Sequence, residues 1–286
     1  MPATRFTPGT VTVLMSVYRG SDPAELAATL DSLWAQTRPA EAVVVVEDGP
    51  LTDELSAVLD AHRAEHPQLR TVTLARNQGL GPALQAGLQT VATEFVARLD
   101  TDDIAHPERL ERQLRCFRDD SGLTVLGTAV QEFDDEVWHA TGDLDEAVGK
   151  VRSLPETHEE IARYARINSP VNNPSVMLRR EAVEDAGGYR AVHHMEDYDL
   201  YARLLATGAR FHNLPTPLTY FRTSPEQFQR RTGRGMFAAE RQMQRNLVAY
   251  GLVSRPRAVL NLAVRTAYRL LPTGLLTAAY ARLFHR

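Results

Sequence analysis

A single cysteine, Cys116, stands among the 286 residues, which excludes an intramolecular disulfide and fits a reducing compartment. No uncharged apolar run approaches the ~18 residues that a membrane span requires. The first residues, Met1-Pro2-Ala3-Thr4-Arg5-Phe6-Thr7-Pro8, lack the apolar core of a signal segment. The expected location is therefore cytoplasmic. A strong excess of either charge is also missing. The 32 basic and 36 acidic residues leave a net charge of -4, which implies no general affinity for nucleic acid. A hydrophobic content of 43% and a charged content of 24% place the chain among soluble globular proteins, with ample core for one large domain or two small ones.

Against that background one stretch stands out. Phe95-Val96-Ala97-Arg98-Leu99 reads as a buried strand, and Asp100, Asp102 and Asp103 follow it at once. Carboxylates so close repel one another unless a cation or strong donors lie between them. Hard oxygen ligands without a Cys or His cluster favour Mg²⁺ or Mn²⁺ over zinc. Magnesium is usually held by one or two carboxylates together with substrate phosphates, which points to a nucleotide-diphosphate substrate. The simpler alternative is an acidic loop in which Asp103 caps the helix opening near His106-Pro107.

The first half alternates strands, expected over 11–17, 43–46, 71–74 and 94–99, with helices over 22–36, 52–65 and 79–90. Such repetition predicts an α/β fold with a parallel sheet and helices on both faces. Ligands of such sheets bind beyond the carboxyl ends of the strands. Those ends here are Ser16-Val17-Tyr18-Arg19, Glu47-Asp48-Gly49-Pro50, Arg76-Asn77-Gln78-Gly79 and the carboxylate cluster. Glu47 or Asp48 can accept from a base N–H or a ribose hydroxyl, Arg76 can pair with phosphate, and Tyr18 can line a base pocket. Each alone is also ordinary turn chemistry, but four on one sheet edge suit a nucleoside diphosphate. Gly79-Leu80-Gly81-Pro82-Ala83-Leu84 begins like a dinucleotide fingerprint. Leu84 takes the third glycine position, Pro82 intrudes, and the run follows the third strand, so an oxidoreductase is disfavoured. Beyond residue 105 the pattern predicts strands over 123–133, 136–140 and 148–152, a helix over 156–165, a turn at 172–177 leading into a strand, and a short helix closed by Gly187-Gly188.

Four stretches together resemble the family 2 glycosyltransferases of the GT-A fold, in the branch that builds bacterial capsular and exopolysaccharide repeat units. They are Ser16-Val17-Tyr18; Val46-Glu47-Asp48-Gly49-Pro50 with Asn77-Gln78-Gly79-Leu80-Gly81; Leu99-Asp100-Thr101-Asp102-Asp103; and Glu196-Asp197-Tyr198-Asp199-Leu200. The resemblance runs over roughly residues 10–235 and is specific to fold and reaction class, not to the sugar. It implies a Rossmann-like, mostly parallel sheet and an inverting transfer of one sugar from a nucleotide-sugar, usually UDP-linked. Mn²⁺ or Mg²⁺ would lie at Asp102 with Asp100 and Asp103. The donor nucleotide would lie against Ser16, Val17, Tyr18, Glu47, Asp48, Arg76, Asn77, Gly79, Asp100 and Thr101. Direct displacement needs a general base for the acceptor hydroxyl; the resemblance puts it at Asp197, with Glu196 orienting the acceptor and Asp199 pointing away. Helix capping by Glu196 or Asp197 is compatible with these roles. His193 and His194 are open to two readings, metal ligands or a loop pair on the acceptor side. Gln227 and Arg230 match a Gln-x-x-Arg-Trp motif of processive members, but Arg231 replaces the tryptophan, which favours single-sugar addition. Arg222, Arg230 and Arg231 can cover the diphosphate as a mobile loop, or be a solvated basic loop.

The tail differs from everything before it. Residues 247–286 contain no acid, while Arg255, Arg257, Arg265, Arg269, Arg282 and Arg286 supply positive charge. Val259, Leu260, Leu262, Ala263, Val264, Tyr268, Leu270 and Leu271 make one apolar stripe; after Pro272, Leu275, Leu276, Tyr280, Leu283 and Phe284 make a second. Basic amphipathic segments lie at anionic membrane surfaces; a helix pair packed on the catalytic domain, or a dimer contact, is the alternative. Acceptors of the resembled branch are polyprenyl-diphosphate-linked. The expectation is therefore a catalytic domain over 1–235, with a nucleotide-sugar half over 10–104 and an acceptor half over 105–235. A helical segment over 236–286 follows, peripheral on the inner face of the cell membrane. A sugar-phosphate nucleotidyltransferase shares the sheet, but Val17-Tyr18-Arg19-Gly20-Ser21-Asp22 does not supply its Gly-rich loop. A non-catalytic nucleotide-sugar-binding scaffold is a third reading.

Overall fold

The computed structural model describes residues 7–223 and 234–270. In the parallel half of its sheet β2 (Ala42–Glu47) lies next to the edge strand, and its valines are buried on both faces. Val43 and Val45 enter one core and Val44 and Val46 the other, the period-two alternation of a strand covered on both sides. β2 pairs in parallel with β1 (Thr7–Val17) and β3 (Leu69–Thr73), and β1 pairs in parallel with β4 (Thr93–Arg98). Four parallel strands therefore deliver their carboxyl ends to one edge.

The helices between them fall on opposite faces. α1 (Pro23–Trp34) starts where the Asp22 carboxylate accepts from the amides of Ala24 and Glu25, and it buries Leu26, Leu30 and Leu33. α2 (Asp53–Glu65), capped by Thr52, packs Leu55 and Leu59 into the same core. α3 (Leu80–Leu88) lies across the sheet, with Leu84 and Leu88 in the second core. Burying each such leucine contributes about 1.5–3 kcal/mol.

Past β4 the sheet turns antiparallel. β5 (Ile104–Ala105) and α4 (Arg109–Asp119) lead to β6 (Leu123–Asp134), which runs beside β8 (Met177–Arg179) and, in parallel, beside the long β9 (Arg210–Thr223). The strand order is β3-β2-β1-β4-β8-β6-β9-β5, with β7 (Val148–Arg152) on the far side of β6. The expected strand over 136–140 is instead α5 (Asp135–Thr141). The Asp134 side chain caps it by accepting from Glu136 and Val137, and Gly142, at φ 67°, ends it in the left-handed region. α6 (Leu144–Ala147) follows, then α7 (His158–Tyr164) with a Thr157–Glu160 capping box, and α8 (Arg180–Asp185) after β8.

α9 (Glu196–Ala206) carries the second acidic motif at its first turn. α10 (Arg234–Ala249) packs on it, and Met195, Tyr198 and Ala202 meet Met236, Ala239, Met243 and Leu247 in a third core. α11 (Arg255–Leu270) holds the first tail stripe apart from Leu271, which lies outside the described residues; among the described residues no helix is long and apolar enough to cross a membrane. Gln227, Arg230, Arg231 and the second stripe over 275–284 lie outside the described residues.

Candidate active site

The parallel register brings the strand ends together. Val17 stands beside Glu47, Glu47 beside Thr73, and Leu14 beside Arg98. Val17 is buried, Ser16 half-buried and Tyr18 exposed, and the Thr101 hydroxyl reaches the Ser16 carbonyl at 3.4 Å. Asp48 is engaged by its own fold: its two carboxylate oxygens accept from the amides of Gln78 (2.7 Å) and Gly79 (2.9 Å), which ties the β3–α3 turn to β2. A side chain at Gly49 would meet the Asn77 amide nitrogen at 2.5 Å, so glycine is what permits that approach. Glu47 accepts from the Thr73 hydroxyl at 3.0 Å. Arg76 and Asn77 are exposed at the rim.

At the end of β4, one carboxylate oxygen each from Asp100, Asp102 and Asp103 lies within 4.8 Å of the others. Asp103 is buried. Its Oδ1 accepts from the Arg222 amide at 2.9 Å, its carbonyl accepts from the Thr29 hydroxyl at 2.8 Å, and its Oδ2 is buried without a hydrogen-bond partner. Burial, reinforced by Asp100, pushes the Asp102 carboxyl up to about 6; burial with Asp102 and Asp100 pushes Asp103 well above the carboxylate range. Three hard oxygen donors that resist ionising together, one with an orphaned lone pair, fit a divalent cation such as Mg²⁺ or Mn²⁺. No histidine joins this group among the described residues. The His193 and His194 rings lie against each other at a 45° tilt in an exposed turn, 3.8 Å between centroids.

Arg98 underlies the group. Fully buried, it donates to the Leu14 carbonyl at 2.9 Å, to the Leu99 carbonyl and to Asp100. Arg109, at the start of α4, donates to the Arg98 carbonyl. Arg222 closes the other side. The sequence left it in a loop, either covering the diphosphate or solvated, but it lies within β9, opposite Phe133 of β6, and is 2% exposed. Its Nε donates to the Asp102 carbonyl (2.7 Å), its Nη1 to Asp135 (2.6 Å), and its guanidinium stacks over Phe133 and Trp138. Strand pairing on both sides of β9 fixes it there. A second set of ligand-type groups, Glu25, Asp135 and His139, gathers around this guanidinium, so the set already has its cation.

The second carboxylate pair sits at the start of α9. Helix N-termini favour negative charge, and the Asp197 Oδ1 accepts from the Tyr198 amide at 2.7 Å. Burial outweighs both effects. Asp197 is raised, and Glu196 is pushed up to about 8 by burial and by Asp197, with the Arg98 charge opposing each shift. Tyr189 and Tyr201 are buried nearby, and the Tyr201 hydroxyl donates to Asn173 at 2.8 Å. A side chain at Gly81 would meet the Arg190 carbonyl at 2.4 Å and Glu196 Cβ at 3.1 Å, so the start of α3 abuts the start of α9. Asp199 points away from Asp197 and into the protein, where it binds Arg203, Asn246 and Tyr250. Arg98 is a participant that the sequence did not single out, and Asp199, set aside there as pointing away, anchors α10. A lone arginine in an otherwise apolar strand was the available signal for the first.

Known proteins bear on this arrangement. The family model described as "Glycosyl transferase family 2" matches residues 12–187. The amylovoran biosynthesis glycosyltransferase AmsE of Erwinia amylovora is 34% identical over 94% of this chain and 97% of its own length. The UDP-Gal:alpha-D-GlcNAc-diphosphoundecaprenol beta-1,3-galactosyltransferase of Escherichia coli is 30% identical over 96% of each chain. Among solved structures, Staphylococcus aureus TarS 1–349 in complex with UDP-GlcNAc superposes with a TM-score of 0.64 at 18% identity, over 91% of this chain and 72% of that one. That likeness establishes the shared GT-A architecture.

Proposed function

The chain belongs to glycosyl transferase family 2 and is a glycosyltransferase, and from that premise we propose that it moves one sugar from a UDP-sugar to a lipid-linked glycan acceptor at a membrane surface, in cell-surface polysaccharide synthesis. The observation that carries the reading is the pair of carboxylate groups, one at the end of β4 and one at the start of α9, with Arg98 buried within electrostatic reach of both. Relatives named for amylovoran synthesis and for a diphosphoundecaprenol-linked acceptor support the pathway class.

In this reading Asp100, Asp102 and Asp103 hold a divalent cation, which when bound neutralises charge on the donor diphosphate. The strand ends from Ser16 to Tyr18, Glu47 and Asp48, and Arg76, Asn77 and Gly79 receive the nucleotide, beside Asp100 and Thr101. Asp197 takes the proton of the acceptor hydroxyl as it attacks the anomeric carbon, and the leaving diphosphate departs on the opposite face, inverting the configuration. Glu196 holds the acceptor. Residues 1–235 form the catalytic unit, α10 braces it at α9, and the segment beyond α10 faces the membrane on the cytoplasmic side.

A thermal-shift series of UDP-, GDP- and dTDP-sugars with and without Mn²⁺ tests the donor. A ligand at ~100 times its Kd stabilises by about 2.7 kcal/mol, and only UDP-sugars with metal should do so. Asp102→Asn should abolish transfer and the metal-dependent shift while the protein stays folded. Full transfer by this variant, or by the unaltered protein in EDTA, removes the metal from the mechanism.

A further inference from the structure

A cavity of about 320 Å³ lies between the end of α7 and the turn from α10 to α11, and none of its lining residues belongs to either carboxylate group. Arg163, Arg166 and Arg257 line it, with Ser254 and the apolar Leu252 and Val253. None of the three arginines forms a salt bridge among the described residues. Neighbouring arginines differ. Arg203 is paired with Asp199 and Arg265 with Glu240. The two walls are fixed to each other: the Asn261 amide donates to the Arg166 carbonyl at 2.7 Å, and Arg257 Nε donates to Asn261 at 3.0 Å. All three arginines are exposed, so solvent screens their repulsion, but together they form a positive rim that favours an anion.

Leu260 and Val264, three and seven residues beyond Arg257, share its side of α11. They are 55% and 48% exposed, while Ala258, Asn261 and Arg265 face the protein. A free phosphate would satisfy the arginines and leave these side chains unexplained. An anionic lipid accounts for both. We propose that the cavity binds the phosphate of an anionic phospholipid headgroup, with Leu260 and Val264 entering the adjoining acyl boundary. This rests on the membrane-surface reading above and gives it a specific site.

The full chain is tested by co-sedimentation with phosphatidylcholine vesicles with and without phosphatidylglycerol. The unaltered protein should sediment only with the anionic vesicles. Each of Arg163→Gln, Arg166→Gln and Arg257→Gln should lose about fivefold in partitioning, and the triple variant on the order of 100-fold. Leu260→Ser with Val264→Ser should weaken binding as well. A control, Arg63→Gln with Arg115→Gln and Arg118→Gln, removes the same charge from arginines already paired with carboxylates and should keep vesicle binding. Melting temperatures verify that every variant folds. If the unaltered protein binds no vesicles, the membrane reading itself fails and takes the site with it. If it binds and the cavity variant binds equally, or the control loses as much, membrane association survives and the headgroup site is overturned. Stabilisation by millimolar inorganic phosphate that is lost in the cavity variant, with vesicle binding unchanged, would make it a free-anion site instead.

Discussion

Arg98 is fully buried and hydrogen-bonded to Asp100, and its charge opposes the raised pKa of Asp102, Glu196 and Asp197 alike. At the residue scale the site is thus two acidic groups sharing one buried cation. The carboxylates were legible in the sequence, because three within four residues need a special environment. The cation was not, since a strand pattern records which faces are apolar and not what one long polar side chain spans. The consequence for Asp197 is direct. Asp197→Asn keeps the shape and the Oδ1 acceptor for the Tyr198 amide but cannot take a proton, so transfer should fall by about 10²–10⁴-fold with donor affinity nearly unchanged. Equal losses in UDP affinity and rate would make Asp197 a donor-site residue. Glu196 allows a stability test. Its carboxyl titrates near 4.5 unfolded and about 8 folded, so between those values the folded protein holds a proton that the unfolded chain has released. Unfolding then releases a proton, and stability falls as pH rises through that window. Glu196→Gln should match the unaltered metal-free protein at pH 4 and be more stable at pH 8, by urea midpoint. A variant less stable at pH 8 would show that the Glu196 charge is not held at a cost.

At the scale of elements, α9 is held from both sides. Gly81 lets α3 reach its first turn, and α10 holds it through Asp199, whose Oδ1 accepts from Asn246 and from the Tyr250 hydroxyl, each at 2.7 Å. The sequence announced α9 through its acidic first turn and apolar face. It did not announce the partner, because a contact across more than forty residues leaves no local period. The strand expected over 136–140 failed for a related reason: Val137 and Trp138 suit a strand, yet the Asp134 cap and Gly142 terminator decide the matter. Tyr250→Phe removes one hydrogen bond to a buried carboxylate and should cost about 1.5–3 kcal/mol in urea unfolding. Transfer should fall with it, because Asp199 lies two residues from Asp197. Unchanged stability would mean that Asn246 and Arg203 suffice to hold Asp199.

On the scale of the molecule, the first four strands and their helices follow the sequence pattern closely; β1 and β2, buried on both faces, write near-continuous apolar runs, and the edge strand β3 is marked by its place between two helices. The tail was the least legible part. Its one-signed charge favoured a membrane surface over a helix pair packed on the catalytic domain, and α11 does pack: Arg265 turns inward to Glu240 and to the Ile167 carbonyl, each at 2.6 Å, and Asn261 joins it against α10, while Val259, Leu260 and Val264 face outward. A helix that packs by one face and exposes apolar residues on another is a brace, and its outer face is the part that the membrane reading needs. Truncation after Gly251 separates the two roles, since it removes α11 and keeps α10 with its hold on Asp199. Glu240, 2% exposed in the intact protein, loses its arginine but gains solvent, so the cost should be modest. The expected result is a folded protein melting a few degrees lower, at ~2–4 °C per kcal/mol lost. It should keep metal-dependent UDP binding and slow donor hydrolysis, but lose sedimentation with anionic vesicles and transfer to a lipid-linked acceptor. Unfolding of the catalytic half would make α11 a structural part of the domain. Vesicle binding that survives the truncation would place the membrane contact elsewhere on the molecule.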